Sequence, residues 1–227
     1  MTNVFFSEQT RLTRRLLMAT MAFLLPLGLC AQKDAKAKEW LDKSSAAFHE
    51  AGALSISFTL NIKDVSNKIT ESFDGILELK GIKFHLNTPD NEIWFDGKTQ
   101  WGLLKAYDEV QISEPSAQET QILNPAAILS IYKKNCNYKY KGEKTDEKGR
   151  KVQEVELIPQ AKENEMTRIV MHIGSNDSMP SKIHIFYKNG IENVIHINKY
   201  QKNTALKDTS FVFDAKKYPD AEIIDLR

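Results

Sequence analysis

Three histidines, His172, His184 and His196, fall on segments where apolar and polar residues alternate, each on the parity opposite its aliphatic neighbours Ile169 and Met171, Ile183 and Ile185, or Ile195 and Ile197. Three imidazoles brought to one sheet face could bind a transition metal. The plainer reading is that the polar positions of strands carry His as they carry Lys, and no metal is expected. Glu154 and Glu156 share a strand face and could be pictured as an acid/base pair, but neither has an apolar setting that would tune its pKa. Cys136 shares the apolar parity of Tyr138 and Tyr140 and reads as a buried, inert thiol rather than a nucleophile. The chain has no Gly-rich phosphate loop, no Ser elbow and no HExxH. It is therefore not expected to be an enzyme, and no cofactor is expected.

The N-terminus carries its own signal. Arg11, Arg14 and Arg15 precede an uncharged stretch of 14 residues, Leu16 to Leu29, followed by Cys30-Ala31-Gln32, the layout of a cleavable secretory signal. The apolar run is too short to span a bilayer. Acylation of Cys30 is the competing reading, and the bulky Leu29 before it fits that poorly. Cleavage is expected after Ala31, giving a signal over 1–31 and one domain over 32–227, exported to the periplasm as a monomer. Removing the signal takes Lys+Arg from 31 to 28 and Asp+Glu from 30 to 29, so the net charge moves from +1 to −1. A nearly neutral chain lacks the basic stripe that a nucleic-acid partner requires.

What positions these residues is a helix followed by strands. Ala37, Trp40, Leu41, Ser44, Phe48 and Ala51 recur at spacings of three and four, predicting a helix from Lys33 to Ala51, which Gly52 ends. In L-S-I-S-F-T-L-N-I-K (54–63) the residues Leu54, Ile56, Phe58, Leu60 and Ile62 alternate with polar ones, which predicts a half-buried strand. A second strand runs from Lys68 to Lys80, with Ile69, Phe73, Leu77 and Leu79 on one side and Gly75 at a bulge; Ile82, Phe84 and Leu86 make a third. Residues 92–95 and 98–101 flank Asp96-Gly97, a two-residue hairpin signal. The polar segment Gln111 to Thr120 reads as a loop, and Asn124-Pro125 opens a short helix to Tyr132 that is apolar on several sides. Strands are then expected near 136–142, 151–158, 166–173, 181–188 and 193–201, with a final pair near 210–213 and 222–226. The economical architecture is one strongly curved antiparallel sheet or open barrel with two or three helices.

Taken together, the N-terminal helix followed by A-L-S-I-S-F-T-L, D-G-I-L-E-L-K-G-I-K-F (74–84), I-W-F-D-G-K-T-Q-W (93–101), E-V-Q-I (109–112), I-L-N-P (122–125) and the ending D-T-S-F-V-F-D-A-K-K-Y-P-D-A-E-I-I-D-L-R (208–227) resemble the LolA family. Those proteins carry lipoproteins across the periplasm to the outer membrane. The resemblance implies an unclosed antiparallel barrel, covered by a helical lid, whose apolar cavity holds the acyl chains of a lipoprotein. It further implies an ABC transporter in the inner membrane that releases the cargo and an acceptor at the outer membrane. On that basis Ile56, Phe58, Leu60, Phe73, Leu77, Leu79 and Phe84, with Trp94 and Trp101 on the hairpin, are the expected cavity residues. Trp40, Phe48, Ile128, Leu129 and Ile131 are expected on the lid side. Where many relatives carry a lid-latching arginine this chain has Lys80-Gly81, so Lys80 or Lys83 is the expected substitute, without the planar fork of donors. A lipid-binding protein or a lipoprotein-sensing interaction module on the same fold is the alternative.

Overall fold

Asp34 fixes where the first helix begins. Its carboxylate accepts hydrogen bonds from the backbone N–H groups of Lys36 and Ala37, both at 3.0 Å, and its second oxygen accepts from the N–H of Tyr140 at 2.9 Å. One side chain thus caps the helix and ties it to a distant strand. Helix α1 (Ala35–Ala51) stops at Gly52, whose φ of 71° is the left-handed conformation that glycine adopts without a Cβ penalty. In the computed structural model, residues 34–116, 131–133, 136–160 and 165–227 are described. The expected signal over 1–31 and most of the expected helix at 122–132, with Ile128 and Leu129, lie outside them.

Twelve strands follow: β1 (Ala53–Asp64), β2 (Ile69–Lys80), β3 (Lys83–Asn87), β4 (Asn91–Phe95), β5 (Gln100–Leu104), β6 (Glu109–Ser113), β7 (Cys136–Thr145), β8 (Lys151–Pro159), β9 (Met166–Gly174), β10 (Pro180–Tyr187), β11 (Ile191–Lys202) and β12 (Glu222–Asp225). They form one sheet in the order β12-β6-β5-β4-β3-β2-β1-β11-β10-β9-β8-β7. Every pairing is antiparallel except β12 with β6, and the two ends, β12 and β7, do not meet. The sheet is the unclosed, curved one expected from the alternation of the sequence.

Its inner face is the one α1 covers. There Ala37 and Leu41 pack on Tyr138, Val155, Leu157, Ile169, Met171 and their neighbours in β7 to β10, while Phe48 and Ala51 reach the residues of β1 to β4. A second apolar cluster lies on the outer face. Trp94, Leu103 and Val110 are covered by Phe213, Tyr218 and Ala221 from the segment after β11, which crosses the outside of the sheet before β12 pairs with the edge strand β6. On β4 to β6 this strap buries the outer face, whereas the opposite parity carries Ile93 and Phe95 in β4 but polar positions in β6, with Gln111 exposed.

Several expectations are corrected by the structure. Gln111–Ser113 complete β6 rather than a loop, because Val110 and Ile112 alternate into the outer cluster while the backbone pairs with β5 and β12. The Asp96-Gly97 connection is a four-residue turn: the Asp96 N–H donates to the Thr99 carbonyl, and its carboxylate accepts from the N–H groups of Lys98 and Thr99, so β5 starts at Gln100. Residues 210–213 form no strand. A 3-10 turn over Asp208–Phe211 takes their place, and its Phe211 is fully buried. Ile82 sits in the turn between β2 and β3, exposed, and not in β3. Gly75 makes no bulge, since β2 runs regularly and the irregularity lies between β1 and β11 at Ser57/Phe58. Gly75 serves a different purpose. The Phe58 ring lies across it, and a Cβ there would stand 2.3 Å from that ring.

Candidate functional site

The inner face of β1 to β4 is built by register. Leu54 pairs with Leu79, which pairs with Phe84, which pairs with Phe95. One row further, Ile56, Leu77, Leu86 and Ile93 align in the same way, and Phe58 meets Gly75 and Leu60 meets Phe73 beyond that. From the other side β11 adds Ile197 opposite Phe58 and Ile195 opposite Leu60. Because side chains alternate along a strand, each of these points to the same face. Across β1 to β4 the result is an apolar surface, and on β11 Lys202 and Tyr200 stand opposite Leu54 and Ile56.

Burial along this surface is graded. Leu54, Ile56, Leu77, Leu79, Phe84 and Phe95 are sealed under the end of α1, and Phe58 is buried at the edge of that zone. Leu60, Phe73, Leu86, Ile93, Ile195 and Ile197 are only half-buried. The sealed end is an ordinary core, held by the Phe84–Phe95 ring pair at 5.4 Å and the edge-on Phe48–Tyr200 pair at 6.3 Å. Tyr200 donates its hydroxyl to the Pro180 carbonyl at 2.8 Å, and burial pushes its phenol well above the usual range. The half-buried end is different in kind. Its apolar side chains keep accessible area that an apolar ligand can cover, at about 25 cal/mol for each Å² removed from water.

The structure brings together Ile56, Phe58, Leu60, Phe73, Leu77, Leu79 and Phe84 on one face. It separates Trp94 and Trp101 from them. Both indoles stand on the outer face in the strap-covered cluster, where Trp94 is edge-on to Phe213 at 5.4 Å and to Tyr218 at 5.7 Å. Their parity, opposite to that of Ile93 and Phe95, puts them there, and the expectation that they line the cavity is corrected. Trp40, Phe48 and Ile131 all pack on the inner-face cluster of β7 to β10, Phe48 spanning both inner clusters. Ile131 opens a 3-10 turn whose Tyr132 donates its hydroxyl to Asp42 of α1 at 2.5 Å. Sequence reasoning did not assign Leu86, Ile93, Ile195, Ile197 and Phe95 to this face, although their parity carries the same signal as that of β1.

Lys80 and Lys83 are both held by Asp208, at 3.0 and 2.9 Å, and Lys80 also donates to the Leu206 carbonyl at 3.3 Å. Lys83 and then Lys80 hold the Asp208 carboxyl below the ordinary carboxylate range. These lysines anchor the start of the strap.

The histidines do not form a metal site. Lys182 is the register partner of both His172 and His196, standing between them, and His184 is engaged by Glu192 at 2.8 Å. Among the described residues no group of three or more His, Cys, Asp or Glu could hold a metal ion. Glu154 accepts from His172 at 3.1 Å, while Glu156 meets Lys141 at 3.5 Å and Arg168 at 3.6 Å, so the two carboxylates work as separate ion pairs. Cys136 is buried in the inner cluster. No described helix is long and apolar enough to cross a membrane.

Comparison with known proteins adds the following. A family model described as outer membrane lipoprotein carrier protein LolA matches residues 27–190. Among solved structures, an uncharacterized conserved protein from Thermus thermophilus superposes with a TM-score of 0.56 at 12% identity, over 84% of this chain and 99% of that one. It shares the fold. A LolA superfamily protein from Nitrosomonas europaea gives a TM-score of 0.44 at 10% identity, over 78% of this chain and 98% of its own. LprF from Mycobacterium bovis gives 0.48 at 14% identity, over 77% and 97%. No curated protein matches the sequence.

Proposed function

The chain belongs to the family of outer membrane lipoprotein carrier protein LolA, and we propose that it is a periplasmic carrier whose inner face takes up the acyl chains of lipoproteins at the inner membrane and yields them at the outer membrane. The observation that carries this reading is the graded inner face: an apolar surface, sealed under α1 at one end and half-buried at Leu60, Phe73, Leu86, Ile93, Ile195 and Ile197 at the other. Each methylene withdrawn from water contributes about 0.8 kcal/mol, so a 16-carbon chain carries on the order of 10 kcal/mol of aversion to water. A lipoprotein with such chains cannot cross an aqueous compartment unaided. The carrier works by offering apolar area, and it makes and breaks no covalent bond.

Release follows from the same physics. A surface that closes on itself when empty competes with cargo, and the difference between the two states sets the affinity. An inner-membrane ABC transporter would load the carrier, and an outer-membrane acceptor would unload it. Lys80 and Lys83, bound to Asp208, tie the strap to the β2–β3 turn, so in this chain these lysines hold the C-terminal segment.

The test is binding of a synthetic N-terminally acylated lipopeptide, followed by intrinsic tryptophan emission and calorimetry. Leu60→Glu and Leu86→Glu, both at the half-buried end, are expected to weaken binding at least about tenfold, since each places a charge where an alkyl chain must lie. Ile76→Glu, on the exposed outer side of β2, is expected to bind like the parent. Equal loss in all three variants, or none in any, would contradict the assignment of the inner face.

A further inference from the structure

On the outer face, across the sheet from the apolar surface, a row of polar residues runs in register from β1 to β8: Thr59 opposite His196, His196 opposite Lys182, Lys182 opposite His172, and His172 opposite Glu154. The turn between β7 and β8, Asp146 to Arg150, closes over this row. Thr59, His196, Lys182 and His172 of the row and this turn line an open cleft of about 440 Å³, a volume in the range of small-molecule sites. No part of the carrier function described above uses it.

The charges in the cleft are unequally committed. Asp146 is consumed by the turn, accepting from the N–H groups of Lys148 and Arg150 at 2.9 and 2.8 Å and from the Arg150 guanidinium at 2.8 Å. Glu154 is taken by His172, and Asp74 accepts the Thr59 hydroxyl at 2.6 Å. Against these, Lys182 has one loose contact, 3.5 Å to the exposed Glu147, and the ammonium of Lys148 and the ring of His196 have no hydrogen-bond or ion-pair partner among the described residues. Asn198 donates one N–H to Thr59 at 2.9 Å and keeps its second. The cleft thus offers an ammonium recessed between two imidazoles, a second ammonium on the turn and an amide donor, opposed by one solvated carboxylate. More donors converge than a carboxylate can accept, and a phosphate group has the oxygens to use them.

We propose that this cleft is a binding site for a phosphate group, held chiefly by Lys182 with His196, Lys148 and Asn198. The volume exceeds that of the bare anion and leaves room for the alcohol of a phosphate ester, as in a phospholipid headgroup. The groups facing the His196 imidazole are Lys182, Lys148 and Lys63 on the cationic side and Glu147 on the anionic side. Burial and then Lys182 hold that imidazole below its ordinary value, and a bound phosphate would draw a proton onto it.

The experiment uses the chain from residue 32 onward and follows the imidazole resonances of His172 and His196 by NMR while inorganic phosphate and, separately, glycerol 3-phosphate are added. Saturable shifts of His196 are expected with both probes at a fixed pH of about 7. Lys182→Met should weaken binding about tenfold, the value of one charge-assisted hydrogen bond, and Lys182→Arg should retain it, with the rest of the spectrum unchanged in each. Saturation by glycerol 3-phosphate at lower concentration assigns the site to a headgroup ester; saturation by inorganic phosphate alone keeps the site and assigns it to the free anion. Shifts that fail to saturate with either probe, or affinity unchanged in Lys182→Met, would overturn the proposal.

Discussion

Gly75 and Phe58 show how one contact decides a strand. Glycine inside a strand weakens it, by loss of both side-chain packing and backbone restriction, yet β2 keeps Gly75 because the Phe58 ring occupies the space where a Cβ would stand. Gly75→Ala is expected to lower the free energy of unfolding by roughly 1–3 kcal/mol, the range for overpacking a filled site. In a Phe58→Ala background the same change should be close to neutral or stabilising, and chemical denaturation of the four proteins of that cycle measures the coupling. A second residue-scale prediction concerns His85, which bonds Glu92 at 2.7 Å and Glu78 at 3.2 Å and stacks on Trp94. Burial opposes its charge, but Glu92 and Glu78 together outweigh burial and hold the imidazole above its ordinary value of 6.5. A raised value in the folded state gives a stabilisation that is complete below the unfolded pKa and fades as pH rises through the folded one. The stability difference between the parent and His85→Gln should thus shrink from about pH 6 to about pH 8. A difference that grows over that range would contradict the ion-pair assignment.

Among the elements, the strap after β11 separates two kinds of anchor. Asp208 is two-thirds exposed and its lysine partners are partly so, which screens the ion pairs; Asp208→Asn is expected to leave the unfolding temperature nearly unchanged. Phe211 is fully buried, and Phe211→Ala is expected to cost roughly 3–5 kcal/mol. Thermal unfolding of the two variants distinguishes an apolar from an electrostatic attachment, and a larger loss in Asp208→Asn would reverse the assignment. The same contrast explains what could be read from sequence. Strict alternation in 54–63 and the spacing of Ala37, Leu41 and Ser44 named β1 and α1 nearly to the residue, because period two and period 3.6 are each enforced by one buried face. In β4 and β5 parity sets Trp94 and Trp101 opposite Ile93 and Phe95, but that this outer side is a buried one depends on the strap, which lies far along the chain and outside any local pattern. The F-V-F motif near the C-terminus has strand-like composition but pairs with no strand: Phe211 ends the 3-10 turn and is buried, Val212 is extended, and Phe213 packs in the outer cluster. Register, which lies beyond local pattern, decides that Lys182 parts His172 from His196.

At the scale of the molecule, two surfaces back to back on one sheet divide the chemistry. The inner face presents aliphatic and aromatic side chains graded from sealed to accessible, and the outer face carries the strap-covered Trp94 cluster on β4 to β6 and, on β8 to β11, ion pairs and the cleft beside the β7–β8 turn. A sheet with unjoined ends can widen without breaking a ladder. The carrier account rests on the inner face being occupied in the cell. Native mass spectrometry of the protein released gently from the periplasm of its own host, followed by denaturing identification of what leaves with it, tests this most directly. The account predicts acylated lipoproteins bound to the parent and depleted in Leu60→Glu, with the outer-face variant Ile76→Glu still loaded. A protein that emerges empty, or loaded with free lipid alone, would contradict lipoprotein transport.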